Sequence, residues 1–463
     1  MPNYLSIYHR LPNFLKVAAA SARGYQLRWW RYGRETEELI DEALERENWT
    51  EDQWQNWQGE RLEYLLDRAT KQIPYYRSYW QQQQKIKNKA SWNYLENWPI
   101  LEKEVVRKQP LAFVTDDCNI NKMYVDHTGG TTGTPLNVYE SRSTIQLWYA
   151  IFEARLRRWH HVSINDNWGI FGGQLIVPAS TRQPPYWVFN SALNQLYLST
   201  FYISPDTARD YIDGLSKYSP THLIVYPSSA AYLAHLIVDQ NLAPPSSIRV
   251  IFSNAEILLP QQRAVIEKAF NCPVVNTYGM GELVAAAGEC SHRNLHLWPE
   301  IGIIECLDEA NRMSSETNNN NIGEYVVTGL INTDMALIRY RLGDRGNLPR
   351  YQECSCGRTL PVINELQGRV NDTIITKDGR KLFWFNSIFY DKPIMESQIV
   401  QESLELIKIF VIPGKGFSDN TKNEIVNAMR SRVGEQIDIV IITTTTIPRT
   451  KSGKLQAVIS KVR

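Results

Sequence analysis

The chain has 463 residues, of which 43% are hydrophobic and 21% are charged, and its formal net charge is +1. This composition is ordinary for a globular protein, and the length predicts two to four domains at about 100–200 residues each. The balanced charge excludes a nucleic-acid binder that works by bulk electrostatic attraction. Six cysteines in a chain of this length do not form a disulfide framework, which indicates a reducing compartment.

The first 34 residues form a basic and aromatic segment, with no acidic residue before Glu35. We favour a helical arm packed on the body of the protein. The alternative is a weak contact of residues 1–34 with an anionic membrane surface. The chain has no run of eighteen apolar residues, so it predicts no transmembrane segment. The apolar run at residues 17–20 is too short for a signal peptide, and we expect a cytoplasmic protein.

The pattern of apolar residues predicts an α/β fold with three parts. Residues 1–120 read as a helical lead-in, with helices over 36–46 and 52–72 and a break at Ile73-Pro74. In residues 121–366 helical segments alternate with short β-rich runs, which predicts layered α/β structure with a mostly parallel sheet. The predicted helices there are 143–160, 205–218, 229–240 and 260–270, and the predicted strands are 168–171, 221–226, 250–252 and 274–277. Residues 367–463 form a separate small domain.

A loop rich in glycine and threonine lies between two β-prone runs at residues 126–139. Its small and hydroxyl-bearing residues are Thr128, Gly129, Gly130, Thr131, Thr132, Gly133 and Thr134. Glycines let the backbone turn sharply, and exposed N–H groups with hydroxyls can form a nest for an anion such as phosphate. The loop is not a Walker A motif, since no Gly-Lys-Ser/Thr follows. The alternative is an ordinary glycine-rich hairpin.

Four further motifs have chemically suggestive side chains. Residues 276–282 follow a predicted strand and offer a tyrosine ring and a carboxylate suited to a hard cation. Asp344 ends a turn and has a carboxylate that can bind two hydroxyls. Residues 368–372 lie at the predicted domain boundary. The basic loop 447–454 is either a plain surface turn or a means of delivering Lys454 to an active site.

Together these five motifs resemble the adenylate-forming superfamily. The stretches 226–229, 253–256 and 354–358 are similar to the phenylacetate–CoA ligase-like family, and specifically to its capsule- and exopolysaccharide-associated branch. The resemblance implies a large N-terminal adenylate-forming domain, layered α/β with a β-rich subdomain, and a small mobile α+β C-terminal domain. It implies that residues 121–366 form the core that binds ATP and the acyl substrate.

The resemblance also implies a role for each motif. The loop 128–135 would hold the β- and γ-phosphates of ATP, with Thr131 and Thr132 nearest the chemistry. Glu282 would bind Mg²⁺, Asp344 would bind the ribose, and Lys454 would contact the α-phosphate and the substrate carboxylate. The adenine would lie against Tyr278, near Ala255 and Glu256. The other implied residues are Asn276, Thr277 and Gly279 for ATP, Arg369 for ribose or phosphate, and Asn371 and Asp372 for a hinge.

The activity implied is ATP-dependent activation of a small carboxylic acid through an acyl-adenylate, followed by transfer to coenzyme A. One alternative is an amide ligase with an amine acceptor in polysaccharide or secondary-metabolite biosynthesis, and another is a non-catalytic scaffold of the same fold. The chain departs from the family pattern at Leu136, Leu342 and Asn371. The departure at Asn371 concerns the hinge between the large and the small domain.

Cys290, His296, Cys354 and Cys356 supply three thiols and one imidazole, a set suited to tetrahedral zinc in a structural role. His292 is a rival ligand, and free buried cysteines are the alternative. Positions for the wall of an acid pocket include Gly173, Gln174 and Asn190. The sequence leaves open the acid, the acceptor and the oligomeric state.

Overall fold

The structure is a computed structural model. It describes residues 4–86, 90–128, 135–173, 176–177, 183–308, 311–312, 322–369, 373–382, 385–450 and 452–462. Within these residues, none of the helices has both the length and the apolar character that a membrane span needs.

Helices dominate the first part of the chain. The α-helices are α1 (Tyr4–Arg10), α2 (Asn13–Arg31), α3 (Thr36–Glu45), α4 (Glu51–Gln72), α5 (Pro74–Lys85), α6 (Lys103–Lys108), α7 (Arg142–Phe152), α8 (Ala208–Tyr218), α9 (Pro227–Asp239), α10 (Pro260–Phe270) and α11 (Asp419–Val433). Local sequence explains several of these ends. Thr50 and Gln53 form a reciprocal capping box at the start of α4. Pro74 begins α5, where its missing N–H costs nothing.

The strands are mostly short. They are β1 (Tyr124–Thr128), β2 (Leu136–Glu140), β3 (Trp168–Gly172), β4 (Trp187–Asn190), β5 (Gln195–Ser199), β6 (His222–Val225), β7 (Val250–Ser253), β8 (Val274–Val275), β9 (Thr277–Gly279), β10 (Ala286–Glu289), β11 (Leu295–Leu297), β12 (Gly302–Leu307), β13 (Ile322–Gly329), β14 (Tyr340–Asn347), β15 (Val362–Ile363), β16 (Leu366–Arg369), β17 (Ile374–Ile375), β18 (Lys381–Leu382), β19 (Ile394–Gln401), β20 (Leu406–Pro413), β21 (Asp438–Thr443) and β22 (Val458–Ser460).

The chain divides into two units, and unit 1 comprises Met1–Tyr25, Ile164–Val275 and Gln367–Arg463. Its six-stranded sheet has the order β4-β5-β3-β6-β7-β8, and only β4 runs antiparallel to its neighbour. The residues of β6 and β7 are buried throughout, as is usual for a parallel sheet covered on both faces. A second sheet, β21-β20-β19-β22, belongs to the C-terminal part. Ile412 and Ile447 of that part join the apolar core of the six-stranded sheet.

Unit 2 comprises Gln26–Ser163 and Asn276–Leu366. It contains the hairpin β1-β2, the sheet β15-β11-β10-β9, and the antiparallel run β12-β13-β14. Its largest apolar core joins α4 and α5 to residues of β2, β11, β13 and β14. Helix α7 continues through a π-helical turn and a 3-10 turn to His160.

The predicted α/β fold class, with a large N-terminal part and a small C-terminal part, is confirmed. Most predicted helices and strands are found within a few residues of their predicted bounds. The β-rich run predicted at 274–277 is interrupted at Asn276, between β8 and β9. The N-terminal segment is helical, as the favoured interpretation expected. The domain limits at residues 120 and 366 stay predictions.

Candidate active site

The glycine- and threonine-rich loop is carried by an antiparallel hairpin in unit 2. Strands β1 and β2 pair so that Thr128 faces Leu136, and the Leu136 N–H donates to Thr128 Oγ1 at 3.4 Å. A Cβ on Gly281 would lie 3.3 Å from Thr128 Cγ2, so the base of the loop lies against the 276–282 motif. The predicted phosphate contacts at residues 129–134 lie outside the described residues. The two motifs predicted to bind one nucleotide are therefore neighbours in this unit.

Tyr278 and Asp344 are brought together by strands β9 and β14. The Tyr278 hydroxyl donates to Asp344 Oδ2 at 2.9 Å, and both residues are half-buried. Gly343, immediately before Asp344, has a φ of +78°, a conformation that favours glycine. An aromatic plane and a carboxylate thus lie side by side, an arrangement that suits a purine base and its ribose. Asn276, Thr277 and Gly279 lie in or next to β9.

Glu282 is a buried carboxylate, with only 4% of the residue exposed. Lys103 Nζ lies 2.7 Å from Glu282 Oε1, and the Tyr340 hydroxyl donates to the same oxygen at 3.1 Å. Both contacts use Oε1, and neither involves Oε2. The geometry therefore fits a single carboxylate ligand to Mg²⁺, in keeping with the few protein ligands that this ion takes. The sequence predicted no role for Lys103, which lies in no recognisable motif, or for Tyr340, which lies in the 339–344 motif that ends at Asp344.

Lys454 lies on a tight turn in unit 1 that packs on the ends of β3 and β6. Its Nζ is 5.8 Å from the centroid of the Tyr226 ring, within the range of a cation–π contact. A Cβ on Gly173 would lie 1.7 Å from the Ser452 carbonyl oxygen, so this approach requires glycine. Gly453 has a φ of +78°, and a Cβ there would lie 2.5 Å from the Gly173 Cα. Gly173 and Gly453 thus allow the backbone after β3 and the backbone of the turn to touch. This contact positions Lys454 beside the Tyr226 ring.

Glu256 ties this turn to helix α9. Its Oε1 accepts the Leu455 N–H at 2.8 Å, and its Oε2 accepts the Ser228 N–H at 3.0 Å. Ser228 is the second residue of α9, where unpaired N–H groups and the helix dipole favour an anion. Ala255, one residue before, has a φ of +65°. The predicted adenine contact of Ala255 and Glu256 stays a prediction, and the carboxylate itself is engaged by two backbone donors.

Arg449 makes a second tie between the same turn and the rest of unit 1. Its Nη1 donates to Ser228 Oγ at 3.1 Å, and its Nη2 forms an ion pair with Glu396 of β19. The Glu396 side chain is only 3% exposed. Burial raises the pKa of Glu396 to about 7, against the lowering effect of Arg449. The sequence analysis assigned no role to either residue, because they are 53 positions apart.

The candidate positions for the wall of the acid pocket lie in different surroundings. Asn190, one of the candidate positions, packs on Gly24 of α2 and accepts the Ala192 N–H at 3.1 Å. Because Gly24 has no side chain, the Asn190 amide can approach the helix, and a Cβ at this position would lie 2.1 Å from Asn190 Oδ1. Gln174 lies outside the described residues. The predicted position Gly173 borders the Lys454 turn, and so does Thr200, whose Oγ1 is 2.8 Å from where a Gly453 Cβ would be.

Of the remaining predicted site residues, Arg369 ends β16, and the hinge residues Asn371 and Asp372 lie outside the described residues.

The predicted metal ligands form a cluster in unit 2. The ligand atoms of Cys290, His296, Cys354 and Cys356 all lie within 4.8 Å of one another. The Cys290 and Cys354 sulfurs are 3.8 Å apart, and Cys356 Sγ is 3.4 Å from His296 Nε2. Tetrahedral zinc bonds would separate two sulfurs by about 3.8 Å and a sulfur and a nitrogen by about 3.6 Å. The geometry therefore fits zinc, and His292 is not part of the cluster.

The surroundings of the cluster also suit a metal. His296 Nδ1 donates to the Leu360 carbonyl at 3.0 Å, which leaves Nε2 for a ligand bond. Burial lowers the pKa of His296, so its neutral form is favoured. The Asn294 amide donates to Cys354 Sγ at 3.1 Å. Although burial opposes ionisation, this bond and others from Cys356 hold the pKa of Cys354 below its usual range.

Known structures identify the class of fold. The chain superposes on 2-hydroxyisobutyryl-CoA ligase in the postadenylation state, in complex with R3-HIB-AMP, with a TM-score of 0.67. The identity is 18%, over 90% of this chain and 91% of that chain. The predicted resemblance is therefore confirmed, and the chain has the fold of the adenylate-forming superfamily.

Sequence comparison narrows the relationship. Across 471 residues, covering 100% of both chains, the protein is 26% identical to Protein CapK of Staphylococcus aureus. Residues 374–461 match the model of the CapK C-terminal domain. The chain is also 25% identical over 168 residues to the phenylacetate-coenzyme A ligase of Thermus thermophilus, which is 35% of this chain and 37% of the relative. These relatives support the phenylacetate–CoA ligase-like, capsule-associated branch.

Proposed function

We propose that the protein activates a small carboxylic acid with ATP and passes the acyl group to coenzyme A. The observation that carries this proposal is the docked Lys454 turn. Close backbone contact at Gly173 and Gly453 and the bond from Leu455 to Glu256 position the turn, so that the Lys454 ammonium lies beside the Tyr226 ring. The proposal is further supported by the pairing of Tyr278 with Asp344 and by the names of the two CoA ligases that the chain resembles.

In the first step, an oxygen of the substrate carboxylate attacks the α-phosphorus of ATP. The bond between the α-phosphorus and the bridging oxygen breaks, and pyrophosphate leaves with the electron pair. Negative charge increases around the α-phosphate during attack, so the Lys454 ammonium stabilises the transition state more than the ground state. The ring of Tyr278 would support the adenine, and Asp344 would accept hydrogen bonds from the ribose hydroxyls.

The cation implied by this chemistry is Mg²⁺, held by Glu282 and the phosphates. When bound, it supplies charge neutralisation at the phosphates. The chain's own contribution is to orient Glu282, whose Oε1 is held by Lys103 and Tyr340. Zinc in the Cys290, His296, Cys354 and Cys356 cluster would be structural, since it would join the β10–β11 turn to the 354–357 turn.

In the second step, the thiol of coenzyme A attacks the acyl carbon of the adenylate, and AMP leaves. For this step we propose that the small domain turns about Asn371 and Asp372 and withdraws Lys454. The bonds from Leu455 to Glu256 and from Arg449 to Ser228 would then break and form again in each cycle.

The test is an acid screen with hydroxylamine, which traps an acyl-adenylate whatever the natural acceptor. We expect hydroxamate and pyrophosphate from at least one acid. Mass spectrometry of the products, with coenzyme A or an amine offered, then identifies the acceptor. An acyl-CoA supports the proposal, whereas an amide alone assigns the protein as an amide ligase. No adenylate with any acid supports the non-catalytic scaffold.

A further inference from the structure

Helix α2 exposes its apolar face to solvent. Phe14 is 71% exposed, Tyr25 66% and Trp29 54%. At 3.6 residues per turn, positions 14, 18, 22, 25 and 29 share one face of a helix, and the exposed Ala18 and Ala22 complete it. Surface helices usually turn such a face toward the protein core. In α2 the apolar face is exposed, whereas the buried residues include Lys16 and Ser21.

The buried residues Ser21 and Gly24 fix the orientation of α2 in unit 1. Ser21 is buried, and its Oγ accepts the Ser191 N–H at 3.1 Å. Gly24 is also buried, and a Cβ there would lie 2.1 Å from the side-chain oxygen of Asn190. The helix therefore cannot rotate to hide Phe14 and Tyr25 without losing these contacts. The exposure of Phe14 and Tyr25 therefore follows from the packing of Ser21 and Gly24 on the rest of the unit.

The segment that carries this face is strongly basic. Residues 1–34 contain six arginine and lysine residues and no aspartate or glutamate. Arg23 and Arg28 are exposed on α2, and Arg10 is exposed at the end of α1. Ile7 of α1 is also 55% exposed. The segment that carries the exposed apolar side chains therefore also carries exposed positive charge.

We propose that α2 docks the part of its exposed face formed by Phe14, Ala18, Ala22 and Tyr25 on an anionic lipid bilayer. The helix would lie in the plane of the membrane surface, with the aromatic rings at the level of the headgroups and the arginines on lipid phosphates. A second copy of the chain is a poorer occupant, because two identical basic segments would repel each other. An anionic bilayer offers an apolar interior for the exposed rings and negative headgroups for the arginines.

The test is co-sedimentation of the full chain with vesicles. Phosphatidylcholine vesicles are compared with mixed phosphatidylcholine and phosphatidylglycerol vesicles, at low and high salt. We expect binding to the mixed vesicles that weakens at high salt, because the charges lie at the surface. Phe14→Ser with Tyr25→Ser should weaken this binding about tenfold or more, since each buried aromatic ring contributes strongly to partition.

Tyr64→Ser is the matched control, because Tyr64 is 51% exposed on α4 and lies outside the segment. Circular dichroism establishes that each variant is folded, and light scattering gives its mass without lipid. The proposal is overturned if wild type does not bind the mixed vesicles, or binds phosphatidylcholine vesicles equally well. It is also overturned if the double variant binds as wild type does, or if it only converts an oligomer to a monomer.

Discussion

Glu256 is expected to hold the Lys454 turn in its docked position. The change Glu256→Ala removes the acceptor of two backbone N–H groups, those of Ser228 and Leu455. A hydrogen bond to a charged group contributes about 1.5–3 kcal/mol, so loss of the Leu455 bond alone should shift the equilibrium between docked and undocked turn about 10- to 150-fold. The apolar core of the small domain is unchanged in this variant, so this domain should stay folded.

Hydrogen–deuterium exchange measures this shift without knowledge of the acid. Peptides that span residues 449–458 are followed in wild type and Glu256→Ala, and we expect much faster exchange in the variant. The control is Glu405→Ala, since the Glu405 side chain is 76% exposed and its ion pair with Lys377 is at the surface. If Glu256→Ala exchanges at the same rate as wild type, Glu256 does not hold the turn.

Three further predictions concern stability, nucleotide and metal. Burial raises the pKa of Glu140 from its ordinary value of 4.5 to about 8. Protonated Glu140 therefore stabilises the fold below about pH 4.5, and this stability is lost as pH rises through about 8. Urea denaturation between about pH 5 and 8 should show about 3 kcal/mol of pH dependence that Glu140→Gln removes, and an unchanged pH profile would refute the assignment. Asp344→Ala should raise the ATP concentration needed for adenylate formation about tenfold or more, and an unaltered ATP dependence would remove Asp344 from the ribose site. Elemental analysis should find zinc in wild type and in Cys118→Ser but much less in Cys354→Ser, and equal zinc in both variants would exclude the cluster as its site.

The sequence predicted elements whose signals are local. Helix α10 begins at Pro260 and ends at Phe270, as its proline and apolar spacing indicated. The sequence also indicated motifs whose residue types suggest a chemical role, such as the aromatic ring of Tyr278 and the carboxylate of Asp344. The hydrogen bond between these two residues depends on the pairing of distant strands, and no local pattern contains that information.

The sequence did not predict contacts between residues that lie far apart in the chain. Lys103 meets Glu282 across 179 positions, and Arg449 meets Ser228 across 221. The amide of Asn190 looked like a pocket group because its polarity was visible, whereas its partner Gly24 has no side chain to reveal the contact. Such pairs are set by tertiary packing, which a single sequence does not display.

The central claim is that Lys454 promotes acyl-adenylate formation. The most direct measurement is hydroxamate formation across an acid panel by wild type, Lys454→Ala and the control Lys461→Ala, whose side chain is 55% exposed at the surface. We predict product with wild type and Lys461→Ala, and a loss of about 10²–10³ in rate with Lys454→Ala. An acid that wild type and Lys454→Ala convert at the same rate would contradict the claim, as would zero product from both on every acid.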